Sequence, residues 1–219
     1  AVINIGGKVK ILQLTQDHND NIAHSYLSKS DFYLLNQNKP NFQVSKDYFI
    51  GRAKYWLDHP NRREFKGVVF EPAGTSPDYF NLYQGFAVEP IQGDVDFFLS
   101  FLKEVICNND QDNYDYLVAW LAHLFQKPEE KIGVALVIRG LKGVGKGQLL
   151  QAIGPLLEPH FMEISNGDHL VGKFNAHLES LLLLGADEAY WNGDAKAEGI
   201  LKNLVTEPKI TIERKGIDP

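Results

Sequence analysis

An α/β fold is predicted for the C-terminal half of this 219-residue chain, preceded by a helical segment and a small mixed α+β region. Three observations predict it. Val134-Ala135-Leu136-Val137-Ile138 and Leu181–Ala186 are almost unbroken apolar runs, as strands buried on both faces of a mainly parallel sheet require. A glycine-rich turn separates the first run from an apolar-periodic helix running from Lys146 to about Leu157. Strand and helix signals then alternate, with Phe161–Ile164 as a short second strand before Leu181–Ala186, which is the pattern of a parallel α/β layer.

Three regions of different texture follow from the same reading: a mixed α+β region over 1–92, helices over 93–130 and the α/β domain over 131–219. In the first, Val2–Ile5, Gly6-Gly7 and Lys8–Leu14 read as a hairpin, since paired glycines supply the positive φ angles of a two-residue turn. Val68-Val69-Phe70 and Phe86-Ala87-Val88 are further strand candidates. Lys46–His59 places Phe49, Ala53, Trp56 and Leu57 at helical spacing. In the second region, Asp94 or Asp96 caps a helix carrying Phe97, Phe98, Phe101, Leu102 and Val105. A second helix carries Tyr116, Leu117, Trp120, Leu121, Leu124 and Phe125 and ends before Pro128. Core packing is the expected role of both aromatic stripes.

Composition narrows the functional classes. A hydrophobic fraction of 44% with 23% charged residues is that of a globular protein. No apolar run approaches the ~18 residues that span a bilayer, no secretory leader is visible, and no membrane partner is expected. The chain starts at Ala1 rather than Met, as a piece of a longer protein would. Its single cysteine, Cys107, fits a reducing compartment and reads as a small core residue. A net charge of −6 argues against a surface coated by duplex DNA but leaves room for a local basic contact. Lys209, Arg214 and Lys215 against Glu213 form such a segment. The seven histidines show no metal-ligand spacing, so zinc is not expected. Arg62-Arg63, flanked by Asp58 and Glu64, reads as a mixed surface patch.

The chemistry concentrates at Gly140-Leu141-Lys142-Gly143-Val144-Gly145-Lys146-Gly147, which matches G-x-x-x-x-G-K through Gly140, Gly145 and Lys146. Successive backbone N–H groups can curl round a phosphate only where side chains do not intrude. The helix that follows turns its positive end to the same place, and Lys146 adds a point charge for β and γ phosphates. Gly140 to Gln148 are therefore the candidate nucleotide-binding residues, with ATP as the expected ligand and Lys146 as a catalytic residue. The usual pattern ends in Ser or Thr, whose hydroxyl binds Mg²⁺; here Gly147 stands there. Water and the acidic strand end would hold the metal, or Gln148 would help, or metal-dependent turnover would be weak. That acidic end is Asp187-Glu188, after Leu181–Ala186. Asp187 is the candidate Mg²⁺ ligand, acting through water. Glu188 is the candidate base for the attacking water.

Taken together these residues resemble the ATPase domain of phage, virus and plasmid primase–helicases, relatives of superfamily-3 helicases and of the poxvirus-type primase–helicase. The resemblance rests on Arg139-Gly140 to Lys146-Gly147, Gly172-Lys173-Phe174-Asn175, Asp187-Glu188-Ala189, Leu201–Thr206 and Ile212–Gly216. Upstream it continues with Trp56–Arg63, Gly85–Pro90 and Trp120–His123. It implies an AAA+-like P-loop NTPase fold. The implied activity is an ATP- and Mg²⁺-dependent DNA helicase that couples hydrolysis to movement along single-stranded DNA. The complete protein would form a hexameric ring in the host cytoplasm, with a primase domain or replisome partner. It also implies a DNA-gripping hairpin after the acidic strand, with Lys209, Arg214 and Lys215 as DNA contacts and Lys202 as a weaker one.

In such ATPases a sensor strand and an arginine follow the hairpin, and neither is found before Pro219. The sheet is then expected to carry a gap with unpaired backbone and exposed apolar surface, and the chain alone to bind nucleotide weakly and not to unwind DNA. Two other readings remain: a P-loop NTPase of another kind, and a non-catalytic module in which residues 1–127 dock a replisome partner.

Overall fold

The computed structural model describes residues 1–16, 22–164, 175–186 and 195–214. The chain divides into two units, Ala1–Leu82 and a second that begins at Tyr83. The helices of 93–130 therefore belong with the glycine-rich loop rather than forming a region of their own.

The first unit is built on a sheet of order β3-β2-β1-β6, with β1 (Val2–Ile5), β2 (Lys8–Gln16), β3 (Ile22–Leu27) and, after two further strands, β6 (Glu64–Phe65). The expected hairpin forms: β1 and β2 pair antiparallel, and Gly6 and Gly7 take φ of 54° and 72° between them. Alternation puts Ile3, Ile5, Leu12 and Phe65 on one buried face with Tyr26, Val68 and Phe80 against it. Helix α1 (Lys29–Asn36) starts at a capping box in which Ser28 and Asp31 satisfy each other's backbone N–H groups. It packs on α2 (Arg52–Asp58) through Phe32 and Trp56, whose rings lie 5.1 Å apart. Between the helices stands a ribbon of β4 (Phe42–Ser45) and β5 (Tyr48–Ile50). The helix expected over Lys46–His59 thus starts only at Arg52. Tyr48-Phe49-Ile50 is an aromatic and β-branched triplet that pairs as a strand, and Gly51 marks the change. Strands β7 (Gly67–Val69) and β8 (Tyr79–Asn81) pair in parallel, at the predicted Val68 position.

In the second unit, α3 (Asp96–Ser100) runs into a π-helical turn, Phe101–Ile106, and then into α4 (Gln111–Gln126), capped by Asp110. Leu102, Cys107, Leu117 and Leu121 are buried with Leu149 and Ile153 of α5 (Lys146–Leu157) in one cluster. Each fully buried leucine contributes about 1.5–3 kcal/mol. Burial also raises the Cys107 thiol above its ordinary pKa. Phe97 (91% exposed) and Val105 (46%) do not join this core, a correction to the aromatic stripe. The π turn rotates the face that a regular helix would keep in line. The strand expected at Phe86–Val88 is a bend. Its Ala87 N–H donates to Leu156 O at the end of α5, and Phe86 packs on Phe125 at 5.6 Å.

Strands β9 (Phe161–Ile164) and β10 (Leu183–Ala186) pair in parallel, as the apolar runs predicted. Val134–Ile138 differs. It runs extended, but in no ladder among the described residues. Leu136 and Ile138 face the α4–α5 core, while Val137 is 75% exposed. The strand expected there to be buried on both faces is covered on one. The segment is held instead by single bonds, such as Trp120 Nε1 to Val134 O at 3.3 Å. Helix α6 (Ala195–Thr206) follows β10 in sequence. Its Leu201 and Leu204 join Ile164, Leu178, Ile210 and Ile212 in a second cluster. Among the described residues no helix is long and apolar enough to cross a membrane.

Candidate functional site: a glycine-rich loop at the head of a helix

The Ile138–Gly145 connection delivers the chain directly into α5, with Gly145 at the N-cap in the left-handed region (φ 93°). Gly143 is also left-handed, at 83°. An L side chain is strained at both. The π turn lies beside Gly145, where a Cβ would make ordinary contact with Val105 at 3.5 Å and Phe101 at 3.6 Å. The opposite flank of the loop is open: Leu141 is 80% exposed and Val144 43%. Lys142 is exposed as well.

The first turn of α5 receives no side-chain cap. Four N–H groups at a helix head ordinarily need outside acceptors, and here the Gln148 N–H alone turns back, to Gly145 O at 3.0 Å. An anionic oxygen is the natural complement of the rest. Lys146 folds over its own loop, donating from Nζ to Gly140 O at 3.0 Å and Leu141 O at 2.8 Å. The ammonium thus sits across the curl of the loop and joins its two ends. Gly140 is needed for this closure, because a Cβ there would meet Val144 at 3.2 Å. Gln148 is occupied with Gln151, at 2.8 Å. Gly147 is different: a Cβ there meets nothing within 4 Å, so space is available where the common pattern has a hydroxyl.

Behind the loop, two glycines set the distance between helix and strands. Phe161 of β9 lies over Gly154 of α5, and Leu150 of α5 lies over Gly185 of β10. Each element thus puts a large side chain into the other's glycine gap. This docks the loop's helix against the strand that runs toward position 187. Asp187, Glu188 and Lys215 lie outside the described residues, as do positions 172–174 and 189.

Of the basic residues expected to meet DNA, Lys209 is exposed, and so is Lys202. Arg214 is not available in the way its sequence position suggests. It pairs with Glu179, with the two side chains 19% and 9% exposed. An arginine so placed is held by its carboxylate and holds the 210–214 segment to the body of the unit. Ile210 and Ile212 face the same cluster, as their alternation predicts, but among the described residues the segment forms no hairpin: 210–213 are in no strand and Arg214 makes a single bridge. Sequence reasoning missed the residue that fixes it. Asn175 donates from Nδ2 to Thr211 O (2.9 Å) and accepts the Glu213 N–H at Oδ1 (2.7 Å), imitating a strand partner. It also missed His160 and the π-turn residues that back the loop. No spacing rule singles out a lone histidine or a one-residue helix bulge. Among the described residues no three His, Cys, Asp or Glu side chains cluster as a metal site.

Comparison with known proteins adds to this geometry. Residues 138–219 match the sequence profile of a family of unknown function, DUF5906. That segment begins at Ile138, where the chain enters the loop. The chain is also 24% identical, over 212 residues, to the DNA primase-polymerase of Nitratiruptor phage NrS-1. The match takes in 90% of this chain and 26% of that protein, so the chain spans about a quarter of the relative's length. Two apo structures of the NrS-1 C-terminal region align with TM-scores of 0.68 and 0.62 at 20% and 19% identity, over 99% and 94% of this chain and about half of theirs. The chain has the fold of that region.

Proposed function

We propose that this chain is part of a phage-type DNA replication protein in which the Gly140–Gly147 loop binds the phosphates of ATP to drive a helicase on single-stranded DNA. One observation carries the reading: a lysine folded across a left-handed glycine curl at the uncapped head of a helix. Likeness to a phage primase-polymerase supports the replication setting. In this reading the backbone N–H groups at the head of α5 hold the phosphates. Lys146 exchanges its carbonyl bonds to Gly140 and Leu141 for phosphate oxygens. Those carbonyls preorganise the ammonium, because it is already ordered over the loop. Mg²⁺, when bound, supplies charge neutralisation between β and γ phosphates. The proposed holder, Asp187, and the proposed base, Glu188, are assigned from sequence alone. In the 209–215 segment the DNA-contact role falls to Lys209 and Lys215, since Arg214 is held by Glu179.

Titration of a fluorescent ATP analogue tests the site. Replacing Lys146 with Ala removes the side-chain cation that closes the loop on itself, and charge-assisted bonds contribute about 1.5–3 kcal/mol each. A fall in affinity of at least roughly tenfold is expected; equal affinity in Lys146→Ala would dismiss the loop as a phosphate site.

A second variant addresses the metal. Since Gly147 has open space about its Cβ position, Gly147→Ser is expected to fold normally and to gain a few tenths of a kcal/mol in helix propensity. Its affinity for the analogue should rise with added Mg²⁺ more steeply than that of the parent chain. An identical Mg²⁺ response in both would show that position 147 does not face the metal.

A further inference from the structure

The stretch from Lys29 to Asp58 is rich in aromatic residues. It carries five cations (Lys29, Lys39, Lys46, Arg52, Lys54) against three acids (Asp31, Asp47, Asp58), in a chain whose net charge is −6. The structure folds it into α1, the β4–β5 ribbon and α2. A groove of about 660 Å³ opens between α1 and the head of α2, lined among others by Tyr33, Asn36, Gln37, Asn41, Arg52 and Lys54. That volume is in the range of sites that hold small organic groups such as nucleosides.

The lining sorts by chemistry. Tyr33 (37% exposed) lines the groove, and Tyr48 (55%), on β5 outside that lining, lies within electrostatic reach of Lys54, as Tyr33 does. Arg52 is held with its guanidinium 5.2 Å from the Phe42 ring, and Phe42 in turn stacks on Tyr55 at 4.4 Å. The cation is thereby fixed in orientation while its N–H edge remains able to bind an oxyanion. Lys29 stands over Tyr33 at 5.9 Å. Lys54 pairs with Asp58 at 2.6 Å, with both side chains more than half exposed. Such a pair has little net worth in water, and a phosphate can compete for the ammonium. Asn36 donates from Nδ2 to Phe32 O at 2.8 Å, which fixes the orientation of its amide in the lining. Amides, open aromatic rings and ordered cations match, in turn, base edges, base faces and phosphates.

We propose that the face made by Tyr33, Tyr48, Arg52 and Lys54 binds single-stranded DNA, with bases against the tyrosines and phosphates on the two cations. The proposal deepens the replication reading above and rests on it for the choice of nucleic acid, but it does not use the Gly140–Gly147 loop. Duplex DNA suits the face less well. Its bases are already stacked, and so small a charge excess is a poor match for one phosphate per ~1.7 Å. A protein partner also suits it less, because interface centres are depleted in lysine. The pleat gives an internal control. Phe49 follows Tyr48 in β5 and therefore points to the opposite side of the ribbon, although it is equally exposed.

Fluorescence anisotropy with a labelled oligothymidylate of about 15 nucleotides tests this on the full chain. Binding is expected at low salt, falling as salt rises with a logarithmic slope of about −1.4 for two phosphate contacts. Tyr48→Ala should weaken it about 5- to 100-fold. Arg52→Gln should weaken it about tenfold and reduce the slope by about 0.7. Phe49→Ala should bind as the parent does. Lys146→Ala should also bind DNA as the parent does while losing the ATP analogue, so the two sites fail separately. Circular-dichroism spectra and thermal transitions matching the parent's show that the Tyr48 and Arg52 variants are folded. The proposal is overturned if the oligonucleotide does not bind at low salt, if Tyr48→Ala and Arg52→Gln bind like the parent, if Phe49→Ala is as damaging as Tyr48→Ala, or if a duplex of the same length binds equally well.

Discussion

Replacement of Gly154 with alanine is expected to destabilise the second unit, although the same change in an ordinary helix stabilises it. In an exposed helix interior, Gly→Ala gains about 1 kcal/mol in propensity. Here the added Cβ would stand 2.4, 2.6 and 2.8 Å from three carbons of the Phe161 ring, closer than real Cβ contacts occur. The atoms met belong to a rigid ring rather than to the far end of a flexible side chain, so the whole ring must move to make room. Overpacking of this kind costs about 1–3 kcal/mol, so Gly154→Ala should lose up to about 2 kcal/mol net. The melting temperature would fall by several degrees, and Gly154→Leu should lose considerably more. Urea or thermal unfolding measures it. A second change, Phe161→Leu, should recover part of the loss in Gly154→Ala while being harmful by itself, which is the signature of a direct contact. A Gly154→Ala protein more stable than its parent would refute the packing. The functional consequence follows from position. The helix displaced by the clash is the one whose first turn faces the candidate phosphate site, so ATP-analogue affinity should fall alongside stability.

That contact also shows where sequence reading ends. The helix from Lys146 and both strands β9 and β10 were legible, because periodicity and unbroken apolar runs are local properties of the chain. The hairpin at Gly6-Gly7 was legible for the same reason, its turn chemistry being written in two adjacent residues. Gly154 and Gly185 read only as weak points in a helix and a strand. Their role depends on Phe161 and Leu150, which reach them across an interface that no short-range pattern encodes. Val134–Ile138 failed in the opposite direction. Its composition said a strand buried on both faces, but composition fixes which side chains prefer burial, not whether a neighbour is present to pair with the backbone. Arg214 repeats the lesson at the site. Alternation placed Ile210 and Ile212 correctly, and a basic neighbour looked like a DNA contact. Its partner Glu179 lies 35 residues earlier, a pairing that spacing does not announce. The glycine-rich turn and the helix after it were legible because Gly143, Gly145, Lys146 and that helix are contiguous.

His160 is expected to make the second unit acid-sensitive. Its side chain is completely buried and stacks on Tyr83 at 5.0 Å. Nε2 accepts the Gln84 N–H at 2.9 Å, so that nitrogen must carry a lone pair. Nδ1 is then the protonated one, and donates to Ser180 O at 2.8 Å. The ring is thus held neutral in one tautomer. Its pKa is pushed below the ordinary value of 6.5, chiefly by burial, with the Ser180 bond acting weakly the other way. A second proton would turn Nε2 into a donor facing the donor of Gln84. The sign of the pH effect follows from proton counting. Below about pH 6.5 the unfolded chain takes up a proton at this ring and the folded chain does not. The unfolded state therefore binds more protons, and stability falls as pH drops from that point toward the lowered native pKa. The loss is at most about 1.4 kcal/mol per pH unit. Above it, His160 contributes no pH dependence. Urea unfolding at pH 7.5 and 5.5, compared between the parent and His160→Gln, isolates the effect from the other histidines. The parent should lose more stability between the two pH values than the variant, and equal losses would show that His160 does not carry the proton. At pH 7.5 the larger change His160→Ala should cost about 2–4 kcal/mol, from a buried N–H and a carbonyl left without partners and from the cavity. That is a large share of a single unit's stability. It is concentrated on a residue whose backbone oxygen also receives the Leu182 and Leu183 N–H groups at the entry to β10. Through that strand, one histidine ties the Tyr83-Gln84 segment and the end of α5 to the chain that leads toward Asp187.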